Sequence, residues 1–339
     1  MRYKLLGRSG LRVSELCLGT MTFGEDWGWG ASKEESQKIF ETFAAAGGNF
    51  IDTANNYTNG TSERYVGEFI HADRDHFVVG TKFTLSTRPG DPNAGGNHRK
   101  NMVRALEASL KRLNTEYVDL YWLHAWDFTT PVEEVMRGLD DLVRAGKVLY
   151  VGISDTPAWI ISQANTLAEC RGWSPAVATQ LSYSLADRAV ERDLLPMART
   201  LDMAVLAWGL LEAGELTGKY SKPATEPRRN EKANPRIAAL AEQVVRTAGE
   251  IGRPPAAVAI NWVRQQTRAN IIPILGARTA AQLRDNLSCL DFELTIPQWR
   301  QLDQLAPLAA GFPHDFLASE GVRHLIFGGT FSQIEHKRP

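Results

Sequence analysis

The chain has 339 residues, 43% hydrophobic and 23% charged, which is enough apolar material to bury a core and too much for a disordered chain. Its 38 lysines and arginines stand against 39 aspartates and glutamates, a formal charge of -1, without the basic excess of a nucleic-acid binder. No apolar run approaches the roughly 18 residues of a membrane span, and the opening Met1-Arg2-Tyr3-Lys4-Leu5-Leu6 lacks the apolar core of a signal peptide. Three widely spaced cysteines, Cys17, Cys170 and Cys289, make neither a disulfide framework nor a metal site, so a reducing cytoplasm is the expected compartment.

In chain order, residues 3–6 and 12–14 flank residues 7–10 like a hairpin, expected ahead of the main fold and against its floor. Strands follow at 16–19, 49–52, 77–82, 118–124, 149–154, 176–180, 204–208 and 271–274. Ser32 with Glu35 reads as a capping box that opens a helix to about Ala46, closed by Gly47 and Gly48. Further helices are expected at about 62–72, 99–113, 132–145, 157–170, 188–201, 235–251, 255–267, 280–290 and 297–306. Eight strands alternating with helices predict a parallel sheet closed into a (β/α)8 TIM barrel. The expectation is one domain over 1–339, with its core at about 3–306. The polar stretch 221–234 reads as a loop. The tail 307–339, with Phe312, Phe316 and Phe327, is expected over the barrel mouth.

A barrel places its reactive groups at the C-terminal ends of strands and in the loops after them. Asp52, Lys82 and His124 end three successive strands, and Tyr57 follows Asp52 by five residues. Singly, each residue type is common at a strand end for structural reasons; the set and its order carry the signal. Carbonyl reduction needs a hydride on carbon and a proton on oxygen. A tyrosine hydroxyl near pKa 10 is a reluctant donor. A lysine ammonium beside it lowers that value, and a carboxylate holds the lysine in place. A histidine orients the substrate oxygen, with an imidazolium as the fallback donor. Trp27, Trp29, Phe83 and Trp126 are expected as substrate-pocket walls.

These residues resemble the aldo-keto reductase superfamily. The likeness rests on Phe50-Ile51-Asp52-Thr53-Ala54-Asn55-Asn56-Tyr57, Gly80-Thr81-Lys82-Phe83 and Asp119-Leu120-Tyr121-Trp122-Leu123-His124. It continues through Val151-Gly152-Ile153-Ser154, Gln180 with Tyr183-Ser184-Leu185, and Leu216-Thr217-Gly218-Lys219-Tyr220. It is strongest toward the bacterial general reductases and the potassium-channel β-subunit branch. The resemblance implies a reversible NADP(H)-dependent reductase of aldehydes and ketones, with Asp52, Tyr57, Lys82 and His124 catalytic and NAD(H) as the alternative cofactor. Consistently, no Gly-x-Gly-x-x-Gly follows a strand. The rival reading is a cofactor-binding partner protein with weak catalysis.

By family position, Gly19, Thr20 and Met21 line the nicotinamide ribose, Ser154 and Gln180 hold the carboxamide, and Trp208 stacks on the ring. Gly209 and Leu211 belong to the phosphate loop, with Lys219 toward the pyrophosphate. The segment with Gly276, Arg278, Gln282, Asp285 and Asn286 serves the adenosine side, where the amides and dipole of a helix start favour phosphate. Arg278 is the candidate for a 2′-phosphate. Asp52 and Asp155 complete the implied cofactor-binding set; Asp155 stands where the family usually has Asn after the serine, and its carboxylate can accept from the carboxamide NH2 but cannot donate, while Gly209-Leu210 replaces Ser-Pro. The expected partner is a small carbonyl or alcohol, with no nucleic acid, membrane or metal; oligomeric state is left open.

Overall fold

A computed structural model describes residues 1–221 and 234–335. The expected loop at 221–234 falls, apart from its ends, outside the described residues, as does 336–339. An N-terminal hairpin of β1 (Tyr3–Leu5) and β2 (Arg12–Ser14) precedes eight parallel strands. These are β3 (Cys17–Gly19), β4 (Phe50–Asp52), β5 (Val78–Phe83), β6 (Val118–Leu123), β7 (Val148–Ser154), β8 (Ala176–Ser182), β9 (Ala204–Trp208) and β10 (Asn270–Leu275). They close into a barrel in sequence order, with β10 beside β3. Around it lie α1 (Lys33–Ala45), α2 (Thr61–Ile70), α3 (Arg99–Leu113), α4 (Val132–Arg144), α5 (Ala158–Arg171) and α6 (Leu194–Thr200). The set continues with α7 (Pro235–Ile251), α8 (Pro255–Arg264), α9 (Ala280–Leu287) and α10 (Ile296–Asp303), then α11 (His314–Ala318) and α12 (Glu320–Phe327) in the tail.

Two periodicities explain this arrangement. The helices bury one stripe: α3 turns Met102, Leu106, Leu110 and Leu113 inward, at spacings of three and four. The strands are buried on both faces, so nearly every strand residue is covered. Alternation then divides each strand between an outer core under the helices and an inner core inside the barrel. The lower inner layer contains Cys17, Phe50, Val78, Leu120, Leu206 and Ile272, sealed from below by Leu6 and Val13 of the hairpin. Lys4 Nζ donates to the Ile271 carbonyl at 2.5 Å and Arg264 pairs with Glu15 at 2.9 Å, which pins the hairpin to the floor.

Two expectations change. The helix at 188–201 is shorter, a 3-10 turn at Ala189–Glu191 followed by α6. The capping box at Ser32 is half made. Ser32 accepts from the Glu35 amide, but the Glu35 carboxylate reaches the Ala280 amide at the start of α9, 2.7 Å away. A bare amide at another helix terminus is the competing donor. The tail's aromatics pair among themselves, Phe312 with Phe316 and Phe327 with Phe331. Arg192 and Asp193, just before α6, hold the Ala309 carbonyl and His314. Phe312 remains 84% exposed and Leu325 82%, so these apolar tail residues stay open to solvent. No described helix is long and apolar enough to cross a membrane.

Candidate active site

Strand alternation brings the tetrad together. Two residues beyond the inner-layer Phe50 comes Asp52; four beyond Val78 and Leu120 come Lys82 and His124. Between them the Trp122 side chain floors the chamber. A Cβ at Gly80 would lie 2.8 Å from Trp122 Nε1, and one at Gly152 would lie 2.2 Å from its ring, so the two neighbouring strands carry glycine to admit the indole. Tyr57 starts a turn after β4. There the Thr58 hydroxyl donates to the Phe23 carbonyl at 2.6 Å and accepts from the Ser62 amide, which ties the loop to α2.

Lys82 Nζ is the hub. It donates to Asp52 Oδ2 at 2.5 Å, to the Thr53 carbonyl at 2.8 Å and to the Tyr57 hydroxyl at 3.4 Å. Lys82 is fully buried and Asp52 is 2% exposed. Burial opposes the Lys82 charge, but Asp52 and Tyr57 outweigh it and hold the ammonium above its ordinary value. Burial lifts the Asp52 carboxyl, with Lys82 and Gln180 pulling the other way. Gln180 Nε2 donates to Asp52 Oδ1 at 3.1 Å.

Two electrostatic expectations are corrected. Burial pushes the Tyr57 hydroxyl above its ordinary value and exceeds the lowering by Lys82, whose charge Asp52 offsets. Tyr57 therefore keeps its proton and gains an ammonium partner for any charge it develops. Burial, with the Lys82 charge, pushes His124 down to about 3. The imidazole is neutral at neutral pH, which removes the fallback donor; its buried Nδ1 has no partner. The His124 ring meets Tyr57 edge-on at 6.0 Å.

Trp27 stands edge-on to Tyr57 at 6.5 Å and so reaches the chamber, with Trp29 packed 5.6 Å from Trp27. Phe83 does not. It is fully buried in the outer core, stacked on Tyr121 at 5.1 Å, because one residue past an inward lysine a strand faces out. Trp126 is half-buried and packs on that outer core. Trp122 was missed as a site residue; the step of two back from His124 and the glycines at 80 and 152 are the signals that find it.

On the opposite wall, Ser154 and Gln180 face each other in register, and the Ser154 hydroxyl is buried without a partner. Asp155 has φ 41°, in the region that Asn and Asp tolerate best. Its Oδ1 accepts from Trp208 Nε1 at 3.3 Å, and Trp208 is 40% exposed. Thr20 is fully buried and spends its hydroxyl on the Asp52 carbonyl and Ser62, while Gly19 and Met21 are half-exposed beside it. Gly209 turns the chain at φ 78°, and Leu211 packs on the outer core. The Lys219 side chain lies where a Cβ on Gly214 would stand.

At the start of α9 three amides are already engaged. Gln282 Oε1 accepts from the Arg278 amide at 2.9 Å, Glu35 takes the Ala280 amide, and Thr279 takes that of Gln282. Asn286 is 4% exposed and braces the Gly276 carbonyl at 3.2 Å. An anion here would meet side chains, with Arg278 half-exposed and Asp285 exposed. Among the described residues, no cluster of three or more His, Cys, Asp or Glu could hold a metal ion.

A barrel with a Tyr, Lys, Asp and His at its mouth, together with the family match, defines an oxidoreductase that acts on carbonyls or alcohols. A profile of the aldo/keto reductase family matches residues 15–307, and the chain belongs to that family. It is 38% identical over 332 residues to a norsolorinic acid reductase of Aspergillus flavus, covering 92% of this chain and 83% of that protein. It is 37% identical over 358 residues to an aryl-alcohol dehydrogenase [NADP(+)] of Phanerodontia chrysosporium, covering 97% and 89%. An aryl-alcohol dehydrogenase of Pestalotiopsis microspora is 37% identical over 335 residues, covering 95% and 86%.

Proposed function

We propose that this chain interconverts aldehydes or ketones with alcohols, using NADP(H) with NAD(H) as the alternative, and that aromatic carbonyls are among its substrates. The observation that carries the reading is the Lys82 hub, with one ammonium bonded to both Asp52 and Tyr57. The bound nicotinamide supplies a hydride to the carbonyl carbon or takes one from the alcohol. The remaining steps belong to the protein. In reduction, Tyr57 donates its proton to the substrate oxygen, and Lys82 stabilises the phenolate left behind. Asp52 keeps Lys82 charged, and neutral His124 donates to the same oxygen and orients it. In oxidation the proton returns to the phenolate.

The residues present suit such a cofactor. The unpartnered Ser154 hydroxyl beside Gln180 matches the polar edge of a carboxamide, and the exposed Trp208 face suits stacking on a flat ring. Lys219 and Arg278 would serve the phosphates. Trp27 and Trp29 give the substrate side an aromatic surface, and the names of the P. chrysosporium and P. microspora relatives point the same way. The test is loss of NADPH absorbance with an aromatic aldehyde. Turnover that Tyr57→Phe abolishes, with cofactor binding intact, supports the reading. NADPH binding without turnover would support the partner-protein alternative.

A further inference from the structure

The charges at the mouth are unevenly balanced. Asp52 and Lys82 form a buried pair whose charges cancel. Burial keeps the Tyr57 proton in place, and His124 is neutral at neutral pH. Asp155 is different. Its side chain reaches solvent, it directly follows Ser154, and it bonds the Trp208 indole at 3.3 Å; desolvation by the surrounding protein lifts its carboxyl, with the Trp208 bond and the Lys82 charge pulling the other way. Among the described residues it joins no ion pair. Its left-handed backbone, at φ 41°, would suit Asn equally well, so the backbone does not require a carboxylate here.

We propose that Asp155 biases the site toward the oxidised cofactor, so that the chain binds NADP+ in preference to NADPH and favours alcohol oxidation at the level of binding. This inference rests on the proposed function, which puts the nicotinamide against Trp208. The oxidised ring carries a formal positive charge that the reduced ring lacks. A carboxylate fixed by the Trp208 N–H therefore attracts one state and not the other. Once a cofactor fills the mouth and displaces water, the interaction is less screened than in the open site. A neutral amide at this position would accept the same indole hydrogen bond without discriminating between the two states. Since a ligand shifts an equilibrium only by its differential affinity, any bias appears as a ratio of dissociation constants.

The experiment is calorimetric titration of the full chain and of Asp155→Asn with NADP+ and with NADPH. Asn keeps the backbone conformation and the acceptor for Trp208, so the variant removes charge alone. In the wild type NADP+ should bind the tighter of the two. In the variant the preference should fall about tenfold, mostly by weaker NADP+ binding. A ratio unchanged within twofold, including equal weakening of both ligands, would overturn the inference and leave the proposed function standing. Binding of neither ligand by the wild type would overturn the proposed function, and this inference with it.

Discussion

Lys82 holds three oxygens at once, and each contact has a separate consequence. Lys82→Met removes the charge that steadies the Tyr57 phenolate and leaves Asp52 buried without a cation, so Asp52 takes up a proton. Turnover should fall by about 10²–10⁴-fold, as expected for lost acid–base assistance, while NADPH titration still shows binding. Near-normal turnover would remove Lys82 from the mechanism. The titration behaviour of Tyr57 and His124 supplies a sharper check. A proton donor acts while protonated, so its activity is lost as pH rises through its pKa. Tyr57 lies above its ordinary value and His124 lies at about 3. Reduction should therefore be flat between about pH 5 and pH 9, falling only toward the tyrosine range. A decline through pH 6 to 7 would identify an imidazolium donor and refute the assignment.

Strands and helices were readable from their periods, and α3 and α7 have the boundaries that the apolar stripe and its flanking residues predict. Asp52, Lys82 and His124 were legible because each ends one of three successive strands, and strict parity on a barrel strand turns them inward. The same parity makes Phe83 unavailable to substrate, an inference the sequence permits once Lys82 is taken as inward. What periodicity cannot convey is which distant groups meet. Glu35 reaches α9 from α1, a separation of 245 residues, and no local pattern marks that contact. It alters the phosphate argument, since three amides at the start of α9 are engaged and the Arg278 side chain gains weight. Arg278→Ala should then weaken NADPH by about 1.5–3 kcal/mol, the range of a charge-assisted bond, and leave NADH nearly unchanged. Competition titrations with the two cofactors measure this. Equal losses would place Arg278 in another role.

The two ends of the barrel divide stability from chemistry. The floor is made by a hairpin whose Leu6 is fully buried among Phe50, Val78 and Leu120, one layer below Trp122. That end is an apolar plug held by Lys4 and by the Arg264–Glu15 pair. Trp122 lies between plug and tetrad, wedged against Gly80 and Gly152, so a cavity in the floor has a rigid layer above it. Leu6→Ala should cost about 2–5 kcal/mol by lost burial and an unfilled cavity. The melting temperature should drop by several degrees, and kcat for an aromatic aldehyde should stay within twofold below the transition. Gly152→Ala supplies the contrast. Its methyl would overlap the Trp122 ring at 2.2 Å and drive the indole toward Asp52 and Lys82. That variant should lose turnover as well as stability, because the ring has nowhere to retreat except the chamber. If Leu6→Ala impairs kcat as severely as Gly152→Ala does, the floor and the mouth are coupled and the division between the two ends is wrong.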